Sequence, residues 1–191
     1  MKPNLLSKKT QSSGQNVTRS TIESALARAG KLGIRHVVVA STTGKTALEL
    51  AGILPPHFEA VCVTHHAGFS EFGRNELPDS AENKLAEHGI PVLRTTHLFA
   101  GVERAIRLKL GGLGPAETIA FTYRTLGEGI KVAVEIAVMA LDAGLIPYGK
   151  DVVAIAGTGS GADAAIVIRP AHSRQFFETR VKEIICKPTD W

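Results

Sequence analysis

Apolar residues along this chain alternate between two spacings, one helical and one of short unbroken runs. Ile22, Ala25, Leu26 and Ala29 follow the i, i+3, i+4, i+7 rule of a helix with one buried face. Ser20-Thr21-Ile22-Glu23 ahead of them reads as a capping box, and Gly30 and Gly33 end the segment. His36-Val37-Val38-Val39-Ala40 is a β-branched run suited to a parallel strand buried on both faces. Ala47, Leu50, Ala51 and Leu54 then predict a helix stopped by Pro55-Pro56. The same grammar repeats. Ala60–Thr64 predicts a second strand, Asp79 to Gly89 a short helix, and Ile90–Arg94 a third strand.

A long helical region follows in three pieces. Val102, Ala105, Ile106 and Lys109 share a face of the first, Pro115 suits the first turn of the second, and Ile130 to Ala143 forms the third. The third is apolar nearly all round, so it is expected to be buried, with Lys131, Glu135 and Asp142 on one stripe. Asp151–Ala156 predicts a fourth strand and Ala165–Arg169 a fifth. Too few residues separate them for a crossover, so they are expected to pair antiparallel. Alternating strands and helices imply a three-layer α/β/α domain with a mixed, mostly parallel sheet of about five strands, the last antiparallel. The polar stretch 1–17 reads as a mobile N-terminal segment before one domain over 18–191.

Composition narrows the functional classes. A chain of 191 residues with 44% hydrophobic and 21% charged residues builds one core without a metal or disulfide staple. Its net charge of +4 is spread along the chain with no basic cluster, and aromatic residues are few, which argues against a nucleic-acid partner. Cys62 and Cys186 form no CxxC pair and sit in apolar, strand-like runs, as reduced thiols of a cytoplasmic protein do. No segment reads as an export signal or a membrane span.

Two loops carry the most chemistry. Ser41-Thr42-Thr43-Gly44-Lys45-Thr46 joins the carboxyl end of the first strand to a helix start, where free amides, hydroxyls and an ammonium suit a phosphate. It is not a Walker A loop, because the position five before Gly44 is Val39. The alternative is an ordinary Ser/Thr-capped helix start. Gly157-Thr158-Gly159-Ser160-Gly161-Ala162 precedes a strand rather than a helix, which excludes a dinucleotide fingerprint. It reads either as a flexible hairpin turn or as a lid that closes over an anion. Gly127-Glu128-Gly129 either admits a ligand to a helix start or marks a bend. Lys131 and Glu135 read by default as a mutually satisfied pair. His65-His66 followed by Ala67-Gly68-Phe69 lacks metal-ligand spacing and suits contact with an aromatic or sugar portion of a ligand. His36, His57, His88, His97 and His172 read as ordinary surface or strand-end residues. No acid–base pair names a reaction.

The segment His36–Thr46, the strand ending in Val63-Thr64 and the terminal hairpin Asp151–Ile168 resemble the C-terminal α/β domain of pyruvate kinase. GEGIKVAVEIAVMALDAGLIP looks more like the stand-alone relatives of that domain. In the kinase the corresponding loops hold the phosphates of a sugar bisphosphate effector, which implies such a role for Ser41–Thr46 and Gly157–Ala162. The (β/α)₈ catalytic barrel is absent from these residues, so pyruvate kinase activity is not expected. The resemblance to the stand-alone relatives implies flavin mononucleotide (FMN) as ligand. Thr43, Lys45 and Thr46 would meet its phosphate, and Thr64, His65 and Phe69 would lie near its ring. A flavin-dependent oxidoreductase and a sugar-phosphate-sensing regulatory module are the rival expectations. Self-association through a sheet edge or an apolar helix face is compatible with the pattern.

Overall fold

A computed structural model describes residues 11–190, with side chains from residue 17 onward. The strands are β1 (His36–Ala40), β2 (Glu59–Thr64), β3 (Val92–Arg94), β4 (Val152–Ala156), β5 (Ala164–Arg169) and β6 (Arg180–Cys186). The helices are α1 (Gln11–Leu32), α2 (Lys45–Ala51), α3 (Asp79–Glu87), α4 (Gly101–Leu110), α5 (Pro115–Arg124) and α6 (Glu128–Asp142). The sheet order is β3-β2-β1-β4-β5-β6. β1 is parallel to both β2 and β4, and β2 to β3, while β4–β5 and β5–β6 are antiparallel.

Side chains alternate across a strand, and here each face meets a different helical layer. Val38, Ala154 and Ile166 point to one side, where α6 supplies Ile130, Val134 and Ala137. Val37, Val39, Val153 and Ile155 point to the other, against Ile22, Ala25 and Ala29 of α1 and Ala47 and Leu50 of α2. Both clusters are almost wholly withdrawn from water. At roughly 1.5–3 kcal/mol for each large side chain buried, they dominate the driving force for folding. The α/β/α architecture and the antiparallel hairpin are as expected.

Two features differ from the expectation. The sheet has six strands, because Arg180–Cys186 adds an antiparallel edge beyond β5. That strand is mostly exposed and interrupted by register irregularities, so its hydrophobic signal is weak. The helix does not begin at a Ser20 cap. α1 is already helical from Gln11, and Ser20 Oγ instead donates to Val17 O at 3.0 Å within the helix. The segment expected to be mobile falls partly outside the described residues. α4 is a helix as expected, and none of its side chains is buried.

Both cysteines are free. Burial pushes the Cys62 thiol up to about 12, which leaves it an unreactive core residue.

Candidate functional site

The chain runs outward from β1 to β2 and β3, and then α4–α6 return it to β4 on β1's other side. The strand order therefore reverses between β1 and β4. In open α/β sheets a crevice for ligands opens outside the carboxyl ends of the strands at that point. The loops after β1 and β4 are the two Ser/Thr/Gly segments singled out above. A third loop, after β2, is tied to the first by Ser41 N–H donating to Val63 O and by Thr64 Oγ1 donating to Thr42 O, both at 3.0 Å.

Within the first loop the polar groups divide into two sets. Ser41 is buried, and its Oγ accepts from Ala47 N at 3.3 Å, capping α2 from three residues upstream of Gly44. Gly44 adopts φ +84°, and a Cβ there would lie 2.8 Å from both Leu77 Cδ1 and Ala81 Cβ. Its missing side chain therefore serves the approach of α2 to α3 rather than of a ligand. Thr46 and Thr64 are buried too. Thr42 is partly covered, whereas Thr43 and Lys45 are exposed. Among the described residues no carboxylate pairs with Lys45. The amides of Lys45 and Thr46 lie in the helix's first turn and have no intrahelical acceptor.

The loop after β4 is a tight turn. A Cβ on Gly157 would come within 2.2 Å of Gly161 O, and Gly159 and Gly161 have positive φ. Asp163 holds the turn together, its Oδ2 accepting from Thr158 N at 3.0 Å and its own amide donating to Ala156 O at 3.0 Å. Thr18 Oγ1, on α1, accepts from Ala162 N at 3.0 Å. Asp163 Oδ1 and Thr158 Oγ1 are buried and have no hydrogen-bond partner among the described residues. A Cβ at Gly129 would lie 2.7 Å from both Asp163 Oδ1 and Ala164 Cβ, so this glycine admits the loop against the first turn of α6. The Asp163 carboxylate thereby faces the positive end of that helix's dipole. Between the two sequence readings of Gly127-Glu128-Gly129, close packing against another loop replaces ligand approach.

The loop after β2 gathers rings. His65 lies 3.8 Å from Phe69 and 5.1 Å from His97, centroid to centroid, and His66 lies 5.4 Å from His97. His65 Nδ1 donates to Glu76 Oε2 at 2.5 Å, and Ser70 Oγ donates to the other oxygen, Oε1. Burial pushes the Glu76 carboxyl up, but the hydrogen bonds from Ser70 and His65 and the nearby imidazoles outweigh it and hold it below its usual value. Gly68 turns the loop at φ +78°, its amide donating to Arg74 O at 2.7 Å. His97 is not the ordinary strand-end residue expected. It stands at the centre of this group, and burial pushes its imidazole down to about 4. Nothing in the local pattern around His97 marks it, because its neighbours come from a loop some thirty residues away in the chain.

Behind the rings lies the buried pair on α6. Lys131 Nζ donates to Glu135 Oε2 at 2.5 Å, and Glu135 Oε1 accepts from Phe99 N at 2.9 Å. The mutually satisfied reading is the one observed. Among the described residues, no three His, Cys, Asp or Glu side chains are placed to hold a metal ion. No described helix is long and apolar enough to cross a membrane. A groove of about 420 Å³ lies elsewhere, between α1 and the segment leading into β2, lined by Leu26, Ile53, Pro55 and Phe58. Arg19, Glu23, Lys31 and His57 also line it, and Arg19 pairs with Glu23 at 2.6 Å.

The family described as "Pyruvate kinase, alpha/beta domain" matches residues 19–168. Among solved structures, pyruvate kinase from Cryptosporidium parvum, in complex with ADP, is similar at 13% identity and a TM-score of 0.41. The match covers 96% of this chain and 25% of that one, so the chain spans about a quarter of that enzyme's length.

Proposed function

The chain belongs to the pyruvate kinase α/β-domain family, and from that premise we propose that it binds a phosphorylated small molecule, FMN first among the candidates. The observation that carries this reading is the strand order, which sets the loops 41–46 and 157–162 side by side at the reversal between β1 and β4.

The groups on these loops fit a phosphate with a planar appendage. Lys45, the Thr43 hydroxyl and the first-turn amides of Lys45 and Thr46 form a donor set without an internal acceptor. Thr158 contributes a buried hydroxyl without a partner, a state more costly than a satisfied one unless a ligand completes it. Gly159, Ser160 and Gly161 lie exposed at the tip of the same turn, where they can close over the ligand. The rings of His65, Phe69 and His97 give an apolar and polarizable shelf for an isoalloxazine. Ser41, Gly44, Thr46 and Thr64 shape the loop from inside, so side-chain contact falls chiefly to Thr43, Lys45, Thr158 and Ser160. Bound there, a flavin would supply one- or two-electron redox chemistry.

Titration with FMN, followed by fluorescence quenching, tests the reading. Lys45→Ala is expected to weaken binding by about 1–3 kcal/mol, the scale of a lost charged hydrogen bond. Binding of fructose bisphosphate by a protein that does not bind FMN would replace the flavin with a sugar phosphate. A protein indifferent to both sinks the proposal.

A further inference from the structure

The loop after β2 contains more than a ring shelf needs. A shelf requires flat faces, yet His65 is held by a carboxylate whose two oxygens are both engaged, one by His65 Nδ1 at 2.5 Å and the other by Ser70 Oγ. A carboxylate can only accept, so His65 carries its proton on Nδ1 and leaves the Nε2 lone pair free when neutral. The side chains of His65 and Glu76 are 30% and 18% exposed, so the pair is sheltered but open to a ligand. Phe69 and His97 flank the imidazole. A carboxylate-oriented imidazole with one free nitrogen at a crevice is the arrangement general acid–base chemistry uses.

Closing the loop does not require this pair. The backbone already does so through Gly68 N donating to Arg74 O at 2.7 Å and Arg74 N donating to Glu71 O at 3.1 Å, with an Arg74–Glu71 ion pair beside them. His65 directly follows Thr64, whose hydroxyl bonds the carbonyl of Thr42 in the phosphate loop. The titratable groups against it are Glu76 on its own loop and His97 from the β3–α4 connection, and His97 in turn faces His66 on that loop and Lys131 and Glu135 on α6. Lys131 and Glu135 satisfy each other, and among the described residues Glu76 is the carboxylate hydrogen-bonded to the His65 ring.

We infer that His65 is an acid–base residue of this crevice, exchanging a proton through Nε2 with a phosphomonoester whose planar portion carries an ionisable N–H or O–H. The inference rests on the phosphorylated-ligand reading above. In the forward step the ligand's N–H or O–H bond breaks and its proton joins Nε2, leaving the ligand's conjugate base beside an imidazolium. His65 keeps its Nδ1 proton, donated to Glu76 Oε2, throughout, and the reverse step restores the ligand.

Calorimetric titration with FMN in buffers of different ionisation enthalpy counts the protons exchanged on binding, across about pH 5 to 8. His65→Asn keeps a donor at the Nδ1 position for Glu76 but has no basic nitrogen, and His65→Gln places an amide near Nε2. Counted per mole of FMN bound, the wild type is expected to exchange a proton fraction that changes with pH beyond the fraction both variants show, while both variants stay folded and bind FMN more weakly for the loss of the ring face. Equal proton counts in all three proteins overturn the inference and leave FMN binding intact. Absence of FMN binding in the wild type overturns the flavin instead. In that case imidazole NMR of the free protein decides: a Nδ1–H tautomer with Nε2 titrating supports the inference, and a Nε2–H tautomer overturns it.

Discussion

His97 shows how far one residue's state departs from its sequence context. An imidazole of ordinary value 6.5, pushed by burial to about 4, binds its proton later in the folded protein than in the unfolded chain. Between those values the unfolded state therefore holds more protons, and stability falls as pH drops from about 6.5 toward about 4. Glu76, Asp142 and Asp151, all held below their usual values, add their own losses only at lower pH, beneath 4.5 for the glutamate and 3.8 for the aspartates. Urea unfolding across this range should show the early loss, and His97→Gln should flatten it; an unchanged slope would place the cause elsewhere. Thr158 offers a complementary case. Thr158→Val removes a buried hydroxyl without a partner, so the free protein should be equally or more stable in thermal melts. The same variant should bind FMN more weakly, and a parallel change in both quantities would argue against a ligand role.

At the scale of elements, α6 and α4 are opposites. Twelve residues of α6 are buried, including Lys131 and Glu135, whereas α4 buries none. α4 is held to α5 by polar contacts. Glu103 accepts from Ala116 N at 3.0 Å, and Arg107 pairs with the buried Glu117 at 2.8 Å. Hydrogen exchange should accordingly be fast along α4 and slowest along α6, where opening requires disrupting the core. Equal protection in both would mean that α4 has a partner on its exposed face. Within α6, Lys131→Met leaves a buried carboxylate without its cation and is expected to cost about 3–5 kcal/mol in denaturant titrations. Lys131→Met with Glu135→Gln removes both charges while retaining an acceptor for Phe99 N, and should recover much of that loss. A double variant no more stable than the single would show that the pair contributes through packing alone. The location of these elements was legible because long periodic segments and β-branched runs carry strong local signals. β6 was not, since a half-exposed edge strand with Arg180, Lys182 and Glu183 presents no buried stripe.

For the molecule as a whole, the candidate site is a product of strand order. The Ser/Thr/Gly composition of loops 41–46 and 157–162 drew attention in the linear chain, and their adjacency follows from β1 pairing with both β2 and β4. Their internal division did not show there. Gly129 read either as an opening for a ligand or as a bend, and Gly44 as one member of the 41–46 loop; each admits a neighbouring segment at a distance no Cβ would tolerate. His97 read as an ordinary residue and Glu76 carried no signal, and both belong to the cluster around His65 and Phe69.

What the amino-acid order determined on its own is therefore local: where helices and strands form, which faces are apolar, and which loops carry hydroxyls, glycines and an ammonium. These follow from periodicity, capping and backbone freedom, which act over a few residues. Tertiary structure alone decided which of those groups are consumed inside the protein and which remain exposed at the sheet's carboxyl edge. That division depends on contacts between segments distant in the chain, such as Thr64 with Thr42, Gly129 with Asp163, and His65 with Glu76 and His97. No short-range pattern encodes them, because packing and hydrogen bonding reward proximity in space whatever the separation in sequence.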